Sequence, residues 1–255
     1  MIAEVQATRY VTPLREGGSL PGIVEAADFG IYVAKFRGAG QGLKVLVAEV
    51  VVGELARRLG LRVPELRGLR LAPAIGRYEA DEEVQALLTA STGLNLGVDF
   101  LPGSFGWDPN YAADPAEAAR IIWLDAFTAN VDRSWRNPNL LIWHRELWLI
   151  DHGAALYFHH NWDTATASPQ KFAAQPYDAS EHVLARYLNG VAAADAELAP
   201  KVDRELLTEV LAEVPDEWLE PAGDRADPES IRSGYLDYLL ARLGHRAGWL
   251  PGGAR

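Results

Sequence analysis

The sequence contains no cysteine, and this absence excludes disulfide bonds and cysteine-ligated zinc. It agrees with a reducing compartment such as the cytoplasm, where we expect the protein to act. No apolar run reaches the roughly 20 residues of a membrane-spanning helix, and the N-terminus lacks the charged and then apolar order of a signal peptide. Because the chain also lacks a long low-complexity linker and an internal repeat, we expect one folded unit without a membrane anchor.

The chain also has fewer basic than acidic residues. The chain has 24 Lys and Arg against 35 Asp and Glu, a net charge of −11. Proteins that bind phosphate backbones carry a surplus of positive charge, so we expect no direct binding to nucleic acid. Much of the acidity lies at residues 195–220 and 224–229. This acidity is compatible with a small basic protein partner, and solubility explains it equally well.

The strongest functional signal is a short polar stretch, Asn-Val-Asp-Arg-Ser-Trp-Arg-Asn, at residues 130–137. Asp132 and Asn137 lie five residues apart in it, and Asp151 follows in the sequence Ile-Asp-His-Gly. Phosphoryl transfer requires a carboxylate that accepts the proton of the attacking hydroxyl, and oxygen ligands that hold Mg²⁺ on nucleotide phosphates. Asp132 suits the first role, whereas Asn137 and Asp151 suit the second, as in the catalytic loop of a kinase.

The residues between these groups support that interpretation. Apolar, β-prone runs at residues 139–143 and 147–150 predict a tight hairpin that returns Asp151 to the neighbourhood of Asn137. The alternative is structural, with Asp132 capping a turn, the Asn-Pro pair opening a loop and Asp-His-Gly forming another turn. Each residue alone is compatible with the structural alternative, but their order favours the catalytic one.

A second set of candidates lies upstream. Residues 30–36 alternate as a strand does and place Lys35 near the strand's end, while residues 46–59 predict a helix closed by the glycine that follows. Kinases pair a strand lysine that contacts phosphates with a glutamate on the next helix. Glu49, in the first turn of the predicted helix, is the expected partner, and Glu54 is the second choice. The alternative is a solvated lysine with surface glutamates.

A glycine-rich sequence precedes the lysine strand. Gly17, Gly18 and Ser19 are the candidates for a loop that covers the nucleotide phosphates, because backbone N–H groups freed by glycine can surround phosphate oxygens. A Gly-Gly-Ser turn before a strand also suits an ordinary hairpin, so the sequence leaves both roles open.

A strong helix start precedes the catalytic stretch. Asp114, Pro115 and Glu117 occupy the N-cap, N1 and N3 positions of a predicted helix that runs toward Asn130. Asp125 lies one or two turns before the loop, where it either braces the loop through hydrogen bonds or is a surface carboxylate. Later helices are expected at residues 180–189, 203–213 and 228–245.

Taken together, these elements resemble the HipA-like kinases, and most closely the compact bacterial HipA-like kinase domain proteins. The resemblance covers roughly residues 17–158. It rests on Tyr-Val-Ala-Lys at the end of the lysine strand, Glu49, Val63 and Pro64, Asp125, Asn-Val-Asp-Arg, Asn-Pro-Asn-Leu and Ile-Asp-His-Gly. The Asp-Arg…Asn and Ile-Asp-His-Gly elements are also similar to those of phosphatidylinositol kinases. The resemblance implies an α+β, bilobal, protein-kinase-like fold in one domain. It implies a small β-rich N-lobe with one helix over about residues 1–100, and a larger, mainly helical C-lobe over about 101–255.

The resemblance also implies ATP and Mg²⁺ as cofactors. It carries over Lys35 as the phosphate-binding lysine, Asp132 as the catalytic base, and Asn137 and Asp151 as metal ligands. With position in the chain, it places the adenine-binding hinge at residues 93–103. The acceptor is expected to be a hydroxyl, above all that of a protein Ser or Thr, with small molecules and lipid headgroups left open.

The sequence departs from the family pattern at two points. Ser134 stands where many relatives have a histidine. Because the lysine strand begins so early, we also expect the chain to lack the extra N-terminal domain of full-length HipA toxins. A toxin–antitoxin role is therefore not expected from the resemblance. The alternative function is a nucleotide-binding pseudokinase that acts as a regulatory module. The presence of Lys35, Asp132, Asn137 and Asp151 favours the enzyme.

Overall fold

The computed structural model describes residues 1–15 and 20–252 of the chain. Its first part is a closed barrel with the strand order β1, β2, β3, β5, β4. Strands β1 and β4 are parallel, and the other neighbours are antiparallel. The bounds are Glu4–Pro13 for β1, Gly22–Ala26 for β2, Ile31–Lys35 for β3, Leu66–Leu71 for β4 and Gly93–Asp99 for β5.

Side-chain alternation separates the inside of the barrel from its outside. Tyr32 and Ala34 of β3 belong to a core inside the barrel, which Leu88 of helix α2 (Glu82–Ala90) completes. Successive residues of a strand point to opposite faces, so Lys35 lies on the outer face of the barrel. The strand predicted around Lys35 is confirmed, and its lysine is turned toward the next helix in the chain.

Helix α1, Leu43–Arg58, packs against that outer face. It begins three residues before the predicted start, because Gly42 adopts a φ of +74°, which glycine accepts without strain and which sets the helix boundary. Glu49 therefore lies in the second turn of α1. The sequence analysis places it in the first turn, which is wrong. The predicted helix end is confirmed, since Gly60 has the left-handed φ of +79° typical of a residue after a helix.

Helix α3, Pro115–Thr128, leads into the polar stretch that follows it. Its predicted start is confirmed, since the side chain of Asp114 accepts the backbone N–H of Glu117. The helix ends at Ala129, which has a left-handed conformation, and its backbone N–H donates to the carbonyl of Asp125. The loop at residues 130–137 is thus released directly from the end of a buried helix.

The predicted hairpin is confirmed as strands β7, Leu140–Trp143, and β8, Glu146–Leu149. His144 and Arg145 form its two-residue turn with φ values of 50° and 68°, the signs that a right-twisted hairpin favours. The short strand β6, Phe105–Gly106, adds to the other edge of β7.

The remaining described chain is mainly helical. The helices predicted at residues 203–213 and 228–245 are confirmed as α7 and α8, but the helix predicted at 180–189 is wrong. There, a bridge between His182 and Ser134 is followed by a 3₁₀ helix, because the side chain of His182 accepts the N–H of Leu184 and competes with helical hydrogen bonding. The α-helices are α4 (Trp162–Ala167), α5 (Pro169–Ala173), α6 (Val191–Leu198), α7 (Arg204–Ala212), α8 (Pro228–Gly244) and α9 (Arg246–Trp249). The 3₁₀ helices are Tyr157–Asn161, Ala185–Gly190, Ala199–Lys201 and Asp216–Trp218.

Within the described ranges, none of the helices combines the length and the hydropathy needed to cross a membrane.

A buried arginine closes the C-terminal end of α3. Arg242 of α8 is 1% exposed and donates to the carbonyls of Ala126 and Phe127, with distances of 2.6 to 3.2 Å. It also donates to the carbonyls of Ala173 and Gln175. The last carbonyls of a helix lack intrahelical partners, so this guanidinium supplies donors where the buried helix end needs them.

We expect Arg242→Met to lower the free energy of unfolding by about 3 kcal/mol or more, because each buried acceptor left without a donor costs about 1–3 kcal/mol. Urea unfolding at neutral pH measures the loss. Arg246→Met is the control, since Arg246 is 41% exposed and pairs with Asp195 at 3.4 Å, which predicts a cost below about 1 kcal/mol. Equal losses in the two variants would contradict the role assigned to Arg242.

Candidate active site

A cleft of about 580 Å³ lies where the barrel meets the loop after α3 and the end of the β7–β8 hairpin. Its wall brings together Lys35, Asp132, Asn137 and Asp151, four of the residues that the sequence singled out. The lysine comes from β3 and the other three from the far side of the cleft, so only folding places them in one site. Further lining comes from the turn before α1 and from residues 153–160.

Lys35 forms two ion pairs at the back of the cleft. Its Nζ contacts the carboxylate of Glu49, which is 2% exposed, and that of Asp151 at 2.8 Å. Burial alone would lower the pKa of Lys35, but the two carboxylates outweigh it and raise that pKa, so the lysine stays cationic. The second-choice partner, Glu54, is engaged elsewhere, in a 2.9 Å pair with Arg58.

Asp151 is held in an unusual backbone conformation, with a φ of +55° that Asp tolerates better than most residues. Burial acts to raise the pKa of its carboxyl, but Lys35 outweighs it and lowers that pKa to about 2. The pKa of Glu49 is raised by burial and by the charge of Asp151. Gly153 allows this close approach, since a Cβ there would lie 2.6 Å from Val45 and 3.2 Å from Glu49.

Asp132 lies across the cleft and is positioned by amides. Its Oδ2 accepts the side-chain N–H groups of Asn137 at 2.7 Å and Asn139 at 3.2 Å, and its backbone N–H donates to Asn130 at 3.2 Å. Because Asn137 uses its nitrogen on Asp132, its Oδ1 is the atom that can bind a cation. The amide therefore connects the candidate base with the candidate metal ligand.

Asp125 proves to be fully buried, so of its two possible roles the structure selects the bracing one. It accepts hydrogen bonds from Arg133 at 2.7 Å, His182 at 3.0 Å and Asn130 at 3.0 Å. His182 accepts the N–H of Leu184 at Nδ1, which identifies Nε2 as its protonated nitrogen. Burial acts to raise the pKa of Asp125, but Arg133 and His182 outweigh it and lower that pKa to about 2.

Arg133 has a bracing role that the sequence analysis missed. Besides Asp125, its guanidinium donates to the carbonyls of Asn139 and Ile150, and it lies 3.2 Å from Nδ1 of His152. Burial and the nearby Arg133 lower the pKa of His152 to about 3, so this histidine is neutral and accepts the bond. This one side chain thus connects α3 with the residue before β7 and the residue after β8, which directly precedes Asp151.

Gly18 and Ser19, predicted to bind phosphates, lie outside the described residues, as does Gly17. Gly40 and Gly42, in the turn between β3 and α1, line the cleft, and the sequence analysis missed them. The signal that could have found them is the Gly-Ala-Gly-Gln-Gly sequence at residues 38–42, placed directly between a strand and a helix.

Among the described residues, no group of three or more His, Cys, Asp or Glu side chains is placed to hold a metal ion. Mg²⁺ in nucleotide sites commonly takes one or two protein oxygens and completes its shell with phosphates and waters. The carboxylate of Asp151 and the free amide oxygen of Asn137 provide that type of donor set. The residues present therefore fit Mg²⁺ that arrives with a nucleotide.

Comparison with known proteins adds an independent line of evidence. The family model for HipA-like kinases matches residues 8–250, and no curated protein matches the chain. The chain is similar in structure to the crystal structure of the Helicobacter pylori proinflammatory kinase CtkA. That likeness has 12% identity and a TM-score of 0.61, and it covers 97% of this chain and 98% of the other. It shows an α+β, kinase-like fold.

A second similar structure is that of the golgi casein kinase, with 13% identity and a TM-score of 0.43. The match covers 99% of this chain and 73% of the other. A TM-score below 0.5 is too low to support an inference from this likeness.

We expect Asp125→Asn to lower the free energy of unfolding by about 3–5 kcal/mol at pH 7, because Arg133 would remain buried without its counter-charge. The pKa of Asp125 falls from its ordinary 3.8 to about 2 on folding, so its stabilisation is present above pH 4 and lost as the pH falls toward 2. The deficit of the variant should therefore shrink between pH 4 and pH 2.

Urea unfolding of both proteins at several pH values between 7 and 2.5 measures this deficit. Asp203→Asn is the control, since Asp203 caps α7 at the surface and Asn is an equally good cap. A deficit that stays constant with pH would show that the charge of Asp125 is not what stabilises the fold.

Proposed function

Because this chain belongs to the HipA-like kinase family, we propose that it transfers the γ-phosphate of ATP, with Mg²⁺, to a hydroxyl acceptor. One observation carries the proposal: Lys35 is held between two carboxylates and faces Asp132 across a single cleft. A kinase needs both parts, a cation for the phosphates and a carboxylate for the acceptor. Family membership and geometry therefore point to the same chemistry.

The phosphate side of the cleft is assigned to Lys35 and its surroundings. Glu49 holds Lys35 in place, and the backbone of Gly40 and Gly42 borders the space where phosphates would lie. Helix α1 begins directly after Gly42, and the free N–H groups of a helix start attract anions. The assignment of Gly18 and Ser19 to the phosphates remains part of the proposal.

The charge balance of the cleft supports the proposed requirement for a divalent cation. The single charge of Lys35 faces the carboxylates of Glu49, Asp132 and Asp151, so this group of residues is net negative and would repel a bare polyphosphate. Mg²⁺ supplies the missing positive charge when it is bound. We assign Asp151 and Asn137 to hold it.

Asp132 is proposed as the base that accepts the proton of the acceptor hydroxyl. Asn137 and Asn139 both bind its Oδ2, so its Oδ1 is not hydrogen bonded within the described part of the chain. The two amides thereby orient the carboxylate without occupying the oxygen that would take the proton.

The larger organisation belongs to the same proposal. We propose that about residues 1–100 and about residues 101–255 act as the two lobes of one kinase domain, joined at residues 93–103. Strand β5 occupies the first part of that connection and ends at Asp99. A protein Ser or Thr is the proposed acceptor, and the cytoplasm is the proposed compartment.

We expect ATP with Mg²⁺ to raise the melting temperature of the protein, because a ligand that binds only the native state adds about 2.7 kcal/mol at 100 times its Kd. Asp151→Asn should remove most of the contribution of Mg²⁺, while ATP alone should stabilise the variant at least as much as the wild type, because the variant lacks a carboxylate that repels the phosphates and pairs with Lys35. Thermal melts with ATP, Mg²⁺ or both measure these effects. Asp224→Asn, an exposed residue outside the cleft, should behave as the wild type. An unmoved melting curve of the wild type at millimolar ATP and Mg²⁺ would rule out the nucleotide site.

We expect Asp132→Asn to reduce phosphoryl transfer by about 10²–10⁴-fold, the usual contribution of a general base, with little change in melting temperature or ATP affinity. Single-turnover transfer from labelled ATP into the protein, small-molecule and lipid fractions of a cell lysate measures this and identifies the acceptor class. Transfer at the wild-type rate would move the base elsewhere. Nucleotide binding by the wild type without transfer to any fraction would identify a pseudokinase.

A further inference from the structure

We infer that Trp218 is a positioning residue for the ion pair between Lys35 and Glu49. It belongs to residues 203–219, named here the α7 segment, which consists of α7 and the 3₁₀ helix after it. This segment of the helical part packs against the barrel and α1 together. The inference rests on the proposed function, because it concerns the residues assigned to the nucleotide phosphates.

The first contact joins the α7 segment to the barrel. Trp218 is 1% exposed, and its indole N–H donates to the carbonyl of Leu94 in β5 at 3.0 Å. Two residues further along β5, Leu96 pairs with Lys35 of β3. A displacement of β5 would thus be passed to the strand that carries the lysine.

The second contact joins the same segment to α1, the helix that carries Glu49. Leu207 and Val210 of α7 are fully buried in the core that also contains the apolar face of α1. At the end of α1, Arg58 pairs with Glu213 at 3.2 Å. The position of the helix relative to the barrel is therefore set in part by the α7 segment.

A third contact lies beside Trp218. Glu217 pairs with Arg37 at 3.0 Å and with Arg70 at 3.1 Å, and Arg37 is only two residues beyond Lys35. These pairs are partly exposed, so they are weak and screened by salt. The buried hydrogen bond of Trp218 is the stronger restraint, and Glu217 adds to it from the surface.

The Lys35–Glu49 pair requires that β3 and α1 keep their positions relative to each other. A small movement of the glutamate helix relative to the lysine strand separates the ion pair of a kinase. In this chain, one segment binds β5 on one side and α1 on the other. Loss of the Trp218 contact should therefore loosen the Lys35–Glu49 pair and weaken nucleotide binding beyond any effect on folding.

The test compares Trp218→Phe with Trp249→Phe. Trp249 is equally buried and donates its indole N–H to a backbone carbonyl, that of Arg242 in α8 at 2.6 Å, but its ring packs on Trp123 and Phe127 of α3. Both variants should lose similar stability. Only Trp218→Phe should weaken the affinity for ATP with Mg²⁺, by about tenfold, a typical coupling between sites. Calorimetric titration at a temperature where both are folded measures it.

A second readout needs no nucleotide. The acetylation rate of Lys35, followed by mass spectrometry relative to the exposed Lys201, should rise several-fold in Trp218→Phe and stay unchanged in Trp249→Phe. Glu217→Gln, which creates no cavity, should shift both readouts in the same direction by a smaller factor, and it replaces Trp218→Phe if that variant does not fold.

The outcomes separate the two proposals. A wild type that binds no ATP would contradict the proposed function, while the acetylation rates would still decide the role of Trp218. Equal changes in the two tryptophan variants, or a Lys35 whose rate is unchanged in Trp218→Phe and Glu217→Gln, would overturn the inference.

Discussion

The buried ion pair between Asp125 and Arg133 is the interaction on which the site depends. Removing two charges from water costs several kcal/mol per ion, and the pair recovers this only if every remaining donor and acceptor is satisfied. Here the partners are spread over α3, both ends of the hairpin and the segment that carries His182. Because the hydrogen bonds of this carboxylate and this guanidinium must all be formed, they fix the positions of Asp132 and Asp151 relative to α3.

The second charged group, around Lys35, is built differently. Asp125 and Arg133 form a matched pair sealed from water, whereas Lys35 faces an excess of carboxylates at a cleft that remains open. A buried pair of equal and opposite charges stabilises the structure, whereas a solvent-accessible group with an excess of negative charge can bind a cation. This contrast distinguishes the bracing pair from the candidate binding site, although both consist of the same kinds of residues. It also explains why the proposed function needs a cation together with the nucleotide.

Local signals in the sequence predicted much of the fold. The Asp-Pro start of α3, the glycine after α1 and the apolar, β-prone runs of the β7–β8 hairpin depend on neighbours within a few residues, so they could be recognised directly. The expected helix at residues 180–189 failed for the opposite reason. Asp125, 57 residues away, holds the His182 ring where it accepts the N–H of Leu184, and together these hydrogen bonds outweigh the local helix propensity. Arg133 escaped notice because its importance lies in backbone carbonyls that no sequence pattern displays.

By itself, the sequence determined the family and the residue types of the candidate site. Residue types and short spacings, such as that between Asp132 and Asn137, can be identified from the sequence without a structure. Only the tertiary structure decided that Lys35 reaches Asp151 across 116 residues, that Gly40 and Gly42 border the cleft, and that Trp218 joins α7 to the barrel. The physical reason is that burial and ion pairing depend on distances in space. Those distances are set by the packing of the whole chain and not by the order of its residues.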